Sequence, residues 1–168
     1  MHSFQPFDFE QLEINPFQMI GKDWMLVTAG NEEKANTMTA SWGGMGVMWG
    51  KNVVFVFIRE SRYTKEFIER EQKFSLSFPD GKYRREMKFL GAVSGRTEDK
   101  ISEAGVHLGY MDGVPYIDEG RMIFVCQCLS KTEIKEEDYL DDSIGRSFYA
   151  DGDYHTMYIA EILGMYAR

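Results

Sequence analysis

Several features that mark large classes of proteins are scarce or missing in this sequence. No apolar run of about 18 residues occurs, so a transmembrane helix is not expected. The N-terminal stretch MHSFQPFDFEQLEIN has neither the basic start nor the long apolar segment of a secretory signal. These absences predict a soluble, cytoplasmic protein that does not bind membranes.

Positive charge is also scarce. The 168 residues include 19 Lys and Arg against 27 Asp and Glu, which gives a formal net charge of -8. A broad electrostatic grip on phosphate backbones requires the opposite balance. The composition therefore argues against nucleic acid or an anionic lipid surface as a partner, while a local basic pocket remains compatible with it.

Cysteine and histidine are rare as well. Two cysteines and three scattered histidines do not provide the ligands of a structural zinc site. Cys126 and Cys128 lie in MIFVCQCLSK, where strand alternation places both thiols on one face. We interpret them as small apolar core residues. A redox dithiol is the alternative, although C-x-C on a strand differs from the C-x-x-C that opens a helix. No serine lies in a G-x-S-x-G elbow, so a nucleophile triad is not expected.

The chain does contain enough apolar material for one domain. Hydrophobic residues make up 43% of it and aromatic residues 14%, and no repeat or linker divides it. Strands are predicted at residues 24–30, 34–41, 52–60, 73–79, 121–134 and 154–167. The run VVFVFI is apolar on both faces, which indicates a central strand. The predicted fold class is mainly β, an antiparallel sheet closed or partly closed into a barrel with short helices.

The segments between the strands contain three helix candidates, SRYTKEFIERE, DGKYRREMKFLG and RTEDKISEAG. Thr64 is predicted as the N-cap of the first, with Tyr63 and Ile68 forming a hydrophobic staple. Thr97 is predicted as the N-cap of the last and Gly105 as its stop. Such short helices argue against a doubly wound parallel sheet, and GGMGVMWG lacks the spacing of a G-x-G-x-x-G loop.

The stretch NTMTASWGGMGVMWG, residues 36–50, has an unusual composition for a buried strand. Side chains of an extended chain alternate between two faces. One face carries Thr37, Thr39 and Ser41, and the other carries Asn36, Met38 and Ala40. A solvent-facing threonine ladder explains this pattern without a ligand. However, Trp42 followed by two glycines leaves bare backbone beside a large flat ring, which suits a planar ligand.

Cationic and hydroxyl side chains are concentrated in RESRYT, residues 59–64. Arg59 and Arg62 flank Ser61, and Thr64 opens a predicted helix whose first N–H groups are unpaired. Guanidinium groups, hydroxyls and a helix N-terminus together suit a phosphate group. The alternative is an exposed turn whose arginines pair with neighbouring glutamates.

Further candidates lie elsewhere in the chain. Arg96 and Lys100, in SGRTEDK, could add positive charge to an anion site, although a solvated helix start needs no ligand. His155 enters the last predicted strand beside Tyr154 and Tyr158. Its imidazole could donate to a ligand carbonyl or shuttle a proton, while a structural or exposed histidine is the simpler interpretation.

Taken in order, five segments strongly resemble the flavin reductase-like family with the FMN-binding split-barrel fold. They are NTMTASWGGMGVMW, VFVFIRESRYTKEFIE, KFSLSFP, GAVSGRTEDKI and YHTMYIAEI. The branch that they resemble most is the flavoredoxin type, and the resemblance runs from about residue 20 to the C-terminus. It implies a single domain over residues 1–168 with an antiparallel, Greek-key-like barrel. Residues 1–20 are then an N-terminal extension packed on or near that barrel.

The resemblance also implies roles for individual residues. FMN, rather than FAD, is the expected cofactor. The residues expected to line it are Asn36, Thr37, Met38, Thr39, Ala40, Ser41 and Trp42, those expected at its phosphate are Arg59, Ser61, Arg62 and Thr64, and Arg96 and Lys100 are further cofactor-binding candidates. His155 matches a histidine that lies near the nicotinamide in two-substrate reductases of the family, and it is the expected catalytic residue.

Two functions are compatible with this resemblance. The first is an FMN-dependent oxidoreductase that transfers hydride from NAD(P)H through FMN to a flavin or another acceptor. The alternative is a flavoredoxin-like electron-transfer flavoprotein without an NAD(P)H site of its own. The Trp-Gly-Gly-Met-Gly run favours the alternative, since the best-known NAD(P)H:flavin reductases carry a serine-rich segment there. The resemblance further implies a homodimer with the flavin site near the interface, and a small molecule or redox protein as electron partner.

Overall fold

The computed structural model describes residues 1–168. Its ten strands are β1 (Gln5–Pro6), β2 (Met25–Gly30), β3 (Ala35–Ala40), β4 (Gly43–Met48), β5 (Lys51–Arg59), β6 (Lys73–Pro79), β7 (Leu108–Met111), β8 (Val114–Ile117), β9 (Gly120–Glu133) and β10 (His155–Ala167). Its α-helices are α1 (Pro16–Gln18), which a wider helical turn extends to Asp23, α2 (Tyr63–Glu71), α3 (Arg84–Ala92), α4 (Lys100–Ala104) and α5 (Asp142–Phe148). No helix has the length and apolar character needed to cross a membrane.

The predicted strands are all confirmed, and each observed end lies within one residue of the predicted one. The strands could be located from the sequence because their side chains repeat with a period of two, which produces apolar alternation. Strand β4 and the β7–β8 hairpin are not predicted from the sequence. GGMGVM is rich in glycine, which disfavours strands, and the hairpin strands are only four residues long.

The main sheet is antiparallel and runs in the order β3-β2-β6-β9-β10-β5-β4, with β1 pairing to the C-terminal end of β10. The two end strands, β3 and β4, are consecutive in the chain, and only Ser41 and Trp42 separate them. Three peptide links span at most about 11 Å. The sheet must therefore curl until its ends approach each other, which produces the predicted mainly β barrel, left open between β3 and β4.

The main apolar core fills the inside of this barrel. Strand β5 pairs with β10 on one side and β4 on the other, which confirms the central strand predicted from VVFVFI. Its Val54, Val56 and Ile58 join Phe74 and Phe124 in the core. Each such side chain contributes roughly 1.5 to 3 kcal/mol when fully buried.

A second, smaller core lies outside the barrel, where α3 and α4 cover β2. Leu26 packs there with Met87 and Leu90 of α3, Ile101 of α4 and Ile117 of β8. The neighbouring Val27 turns into the main core because strand side chains alternate. This outer layer holds the loop between α3 and α4 beside β3.

The two predicted helix starts are wrong. Helix α2 begins at Tyr63, so Thr64 lies inside the first turn, where its buried hydroxyl accepts a hydrogen bond from Asn36 at 2.8 Å. Asp99 rather than Thr97 is the N-cap of α4 and accepts from the Ser102 N–H. A carboxylate also complements the positive end of the helix dipole, which favours Asp99.

The predicted staple and helix stop have different outcomes. Tyr63 packs edge-on against Phe67 at 4.9 Å and lies within the helix, not before its cap, so the predicted staple with Ile68 is wrong. Gly105 ends α4 in the left-handed conformation at φ 69°, as predicted.

The N-terminal residues and the cysteines both belong to the packed structure. Phe7 and Leu12 pack against the main core, and Ile20 is part of it. Cys126 is fully buried and Cys128 packs beside it on the same core, which supports their interpretation as core residues. Burial raises the pKa of both thiols, to about 12 for Cys128, so reactive thiolate is disfavoured.

Candidate functional site

A continuous groove runs along β3, and we name it the β3 groove. Its first part is lined by Met38, Thr39, Ala40, Ser41, Trp42, Phe57, Arg59, Arg62 and His155. Its second part is lined by Asn36, Met38, Ser61, Arg62, Tyr63, Thr64, Ala92, Val93, Ser94, Gly95 and Lys100, and a third continues past Gly95, Arg96 and Lys100. Shared lining residues join the parts. Every predicted site residue except Thr37 lies on this groove.

The middle of the groove and the part beyond it, away from Trp42, hold Arg62 and Lys100, and we call this region the cationic end. Lys100 is only 3% exposed, and its Nζ donates to the carbonyls of Leu90 at 2.8 Å and Val93 at 3.0 Å. Burial, and then the nearby Arg62, lower the pKa of Lys100 to about 8. Its position at the first residue of α4 confirms the predicted helix-start location.

Arg62 is half-buried and donates from Nη1 to the Gly91 carbonyl at 2.6 Å. Burial lowers its pKa, while the charge of Asp153 acts in the opposite direction. Neither Arg62 nor Lys100 forms an ion pair with a carboxylate, since carbonyl oxygens hold both. Two partly dehydrated cations without a carboxylate partner leave uncompensated positive charge at this end of the groove, which is the charge pattern that suits an anion.

Two other residues of RESRYT, Arg59 and Ser61, form their hydrogen bonds within the protein. Arg59 donates to the carbonyls of Asp153 at 2.9 Å and Phe148 at 2.8 Å. The Ser61 backbone N–H donates to the Asp153 carboxylate at 3.0 Å, and the Ser61 hydroxyl donates to the same group. These contacts fasten the segment before β10 to the start of α2, so Arg59 and Ser61 act first as anchors.

Arg96 lies at the rim of the groove and has partners of its own. It donates to the Ser61 carbonyl at 2.9 Å, pairs with Glu66, and lies over the Tyr63 ring at 5.0 Å. The alternative for RESRYT, in which its own arginines pair with neighbouring glutamates, is not observed: Arg59 and Arg62 donate to backbone carbonyls, and Glu66 pairs with Arg96. The charge of Arg96 is compensated, unlike the charges of Arg62 and Lys100.

The predicted alternation along β3 is present, but its hydroxyl face packs against protein. Thr37 is fully buried, shares a hydrogen bond with Thr28 at 2.9 Å, and donates to the Val27 carbonyl. The Thr39 hydroxyl donates to the carbonyl of Met87 in α3. The structure therefore places the Thr37 side chain away from the groove, and a solvent-facing threonine ladder is excluded.

The opposite end of the groove, which we call the aromatic end, is formed by Trp42 and His155. Their ring centroids are 5.1 Å apart, and Phe148 packs edge-on against Trp42 at 5.4 Å. His155 is 8% exposed, and its Nδ1 lies 2.7 Å from the Tyr149 hydroxyl. Burial, and then the charge of Arg59, lower the pKa of His155 to about 4. The imidazole is thus neutral near pH 7.

The segment between β9 and β10 is not predicted as part of the site from the sequence. It brings Phe148, Tyr149 and Asp153 into contact with residues that line the groove, and all three precede the predicted last strand. A cluster of tyrosines in that segment is its only local signal, since Tyr139 and Tyr154 both stack on Tyr149. Nothing local in the sequence indicates that Asp153 meets Ser61.

The fold is a curled antiparallel β-barrel with a groove that is cationic at one end and aromatic at the other. Residues 19–168 match the family described as flavin reductase like domain. The chain belongs to that family, as its sequence resemblance implied.

One curated relative is the uncharacterized protein YddH of Escherichia coli (strain K12). The two are 30% identical over 118 residues, which cover 67% of this chain and 62% of that protein. The chain thus spans less than two thirds of the length of this relative.

Solved structures share the fold. An FMN-binding domain of a flavin reductase-like enzyme from Shewanella baltica matches with a TM-score of 0.71 at 18% identity, covering 98% of this chain and 77% of that one. A flavoredoxin from Methanosarcina acetivorans matches with a TM-score of 0.70 at 22% identity, covering 95% and 76%. The fold is therefore the flavin reductase-like split barrel.

Proposed function

We propose that the β3 groove binds FMN and that the protein is an oxidoreductase. In this proposal NAD(P)H is the hydride donor and a flavin or another molecule is the acceptor. The observation that carries it is the cationic end, where buried Lys100 and half-buried Arg62 have no carboxylate partner. A phosphate monoester supplies the missing negative charge and accepts charge-assisted hydrogen bonds.

The rest of the groove fits the other parts of the same molecule. Trp42 and His155 offer a flat wall and a neutral hydrogen-bonding group for a planar ring. FMN, when bound, supplies the redox chemistry. The residues of this chain bind and orient it, and the neutral His155 can donate or accept a hydrogen bond but carries no charge to the ring edge.

A second function is favoured by the surroundings of the aromatic end. Asp151 and Asp153 lie beside Arg59 there, and Phe148 covers one edge of Trp42. Negative charge and a covering ring oppose the approach of an anionic dinucleotide. In this second proposal the protein is an electron-transfer flavoprotein of the flavoredoxin kind that receives electrons from a redox protein.

An anaerobic absorbance titration tests both proposals. We expect addition of FMN to the purified protein to perturb the flavin band, and subsequent NADH or NADPH to bleach it. Bleaching by a low-potential donor such as ferredoxin, but by neither nucleotide, would establish the second function over the first. Failure to bind FMN would contradict both.

The phosphate assignment is tested with Arg62→Ala in the same titration. Loss of a charge-assisted hydrogen bond predicts FMN binding weakened by roughly 10- to 150-fold, which corresponds to about 1.5 to 3 kcal/mol. Riboflavin lacks the phosphate, so its affinity is expected to be the same for both proteins. The matched control is Arg96→Ala, which removes an arginine already paired with Glu66 and is expected to have a smaller effect. An unchanged dissociation constant for FMN would remove Arg62 from the site.

A further inference from the structure

Tyr149 makes the one hydrogen bond that the His155 ring forms with the protein. Its hydroxyl lies 2.7 Å from Nδ1 of His155, and both residues are 8% exposed. The other ring nitrogen, Nε2, has no protein partner, and it is not fully buried. Since His155 lines the β3 groove, a ligand in the groove can reach Nε2.

The Tyr149 contact determines which nitrogen carries the proton. A neutral imidazole has one N–H and one bare nitrogen, while a phenol has a single proton to donate. If Nδ1 carried the proton and donated it to Tyr149, the phenol proton would have to turn toward the buried hydroxyl of Tyr139, which has no hydrogen-bond partner within bonding distance. If Tyr149 donates to Nδ1, the phenol proton has an acceptor at 2.7 Å, and the imidazole proton lies on Nε2, which faces the groove. The second arrangement is favoured because a buried donor left without an acceptor destabilises the folded state.

Tyr149 is itself held firmly enough to act in this way. Its ring stacks on Tyr154 at 5.2 Å and on Tyr139 at 5.3 Å. The Arg59 guanidinium lies 5.2 Å from the ring centroid, and the backbone N–H of Tyr149 donates to the Gly145 carbonyl. The hydroxyl therefore has little freedom to turn away from His155.

We propose that Tyr149 is a positioning residue that fixes His155 as an Nε2–H donor toward a ligand at the aromatic end of the β3 groove. The matching ligand group is an uncharged acceptor, a carbonyl oxygen or a ring nitrogen, on a planar molecule. The identity of that ligand as a flavin rests on the proposed function. The tautomer, in contrast, is a property of this chain alone.

Nuclear magnetic resonance tests the tautomer directly. Long-range ¹H–¹⁵N spectra of the uniformly ¹⁵N-labelled protein at pH 7 show one ring pattern for each of the three histidines, and His155→Gln identifies the pattern of His155. We expect a protonated Nε2 and a bare Nδ1. Tyr149→Phe should redistribute the proton between the two nitrogens, whereas Tyr154→Phe, which removes a hydroxyl from the same stack without touching His155, should preserve the pattern. A wild-type Nδ1–H, or a Tyr149→Phe pattern equal to that of the wild type, would overturn the proposal.

Flavin binding tests the donation to a ligand. Because the contact lies at the aromatic end, Tyr149→Phe should weaken FMN and riboflavin by the same factor, roughly 3- to 10-fold, and Tyr154→Phe should weaken neither. If the wild type binds flavin and Tyr149→Phe leaves both affinities unchanged, the donation is refuted. If the wild type binds neither flavin, the proposed function fails, while the spectra still decide the role of Tyr149.

Discussion

Lys100 is buried and has no carboxylate partner. Keeping its ammonium group charged in this position costs free energy. Removing an ammonium group from water disfavours its charged form, and Arg62 adds to that effect. Two backbone carbonyls stabilise the charge but do not neutralise it. An arriving phosphate dianion would favour the charged ammonium and raise the pKa of Lys100 above its value of about 8.

We predict that FMN binding takes up a proton near pH 8.5. At that pH the unliganded Lys100 is largely neutral, and binding restores its charge, so a fraction of a proton enters with each FMN. Calorimetric titration in buffers of different ionisation enthalpy measures this uptake. Lys100→Met serves as the control, because it cannot take up the proton. Binding enthalpies that do not depend on the buffer in the wild type would contradict the assignment.

At the scale of elements, Glu69 joins α2 to the sheet. Its carboxylate accepts from the Tyr158 hydroxyl of β10 at 2.6 Å, from Lys131 of β9 at 2.9 Å, and from Lys65 at 3.0 Å. The Tyr158 hydrogen bond is the largest of the effects that hold the pKa of Glu69 at about 2. Since α2 also carries Arg62 at its start, this contact helps to place the cationic end of the groove.

We predict that Glu69→Gln lowers the free energy of unfolding at pH 7 by about 1 kcal/mol. The pKa shift alone would suggest more, but the side chain is 33% exposed and solvent screens its ion pairs. The folded pKa is depressed, so the stabilisation is present above the unfolded pKa of about 4.5 and is lost as pH falls through 2. The difference between wild type and variant should therefore be about half or less at pH 3.

Urea unfolding at pH 7 and pH 3 measures this difference. Glu66→Gln is the matched control on the same helix, because Glu66 is 58% exposed and its ion pair with Arg96 is expected to contribute little. A Glu69→Gln effect that is equal at both pH values would show that the lost stability has another origin.

At the scale of the whole molecule, β4 is an edge strand that the monomer leaves open. It pairs only with β5, and the exposed apolar side chains Val47 and Trp49 lie in or just after it. Open strand edges and exposed apolar patches are typical of interfaces. We propose that a second copy of the chain covers β4, next to the aromatic end of the β3 groove, where Trp42 precedes the strand.

The expected result is a homodimer with twice the 19.5 kDa mass of the chain, measured by size-exclusion chromatography with light scattering. Val47→Lys places a charge on the open strand and should shift the protein toward the monomer. Phe17→Lys changes a residue that is also apolar and even more exposed but lies outside β4, and it should leave the mass unchanged. A wild-type monomer at micromolar concentration would refute this interface.

Much of the architecture and part of the site followed from local patterns. Apolar alternation located the six principal strands. Because β3 and β4 are the two end strands of the sheet but are separated by only two residues in the chain, the sheet has to curl. Arg62, Lys100 and His155, which the family resemblance implied as site residues, all lie on the β3 groove. The glycine-rich β4 was missed because its strand conformation comes from pairing with β5 and not from its own residues.

By itself, the amino-acid sequence determined the two faces of β3, the charge of Arg62 and Lys100, and the strand pattern of a barrel. Only the tertiary structure decided that α3 covers Thr39, that the carbonyls of Leu90 and Val93 accept from Lys100, and that Arg59 anchors the segment before β10. A period of two defines faces but cannot tell which face a helix will cover. Contacts such as Ser61 with Asp153 join residues that are 92 positions apart, and no local pattern encodes them.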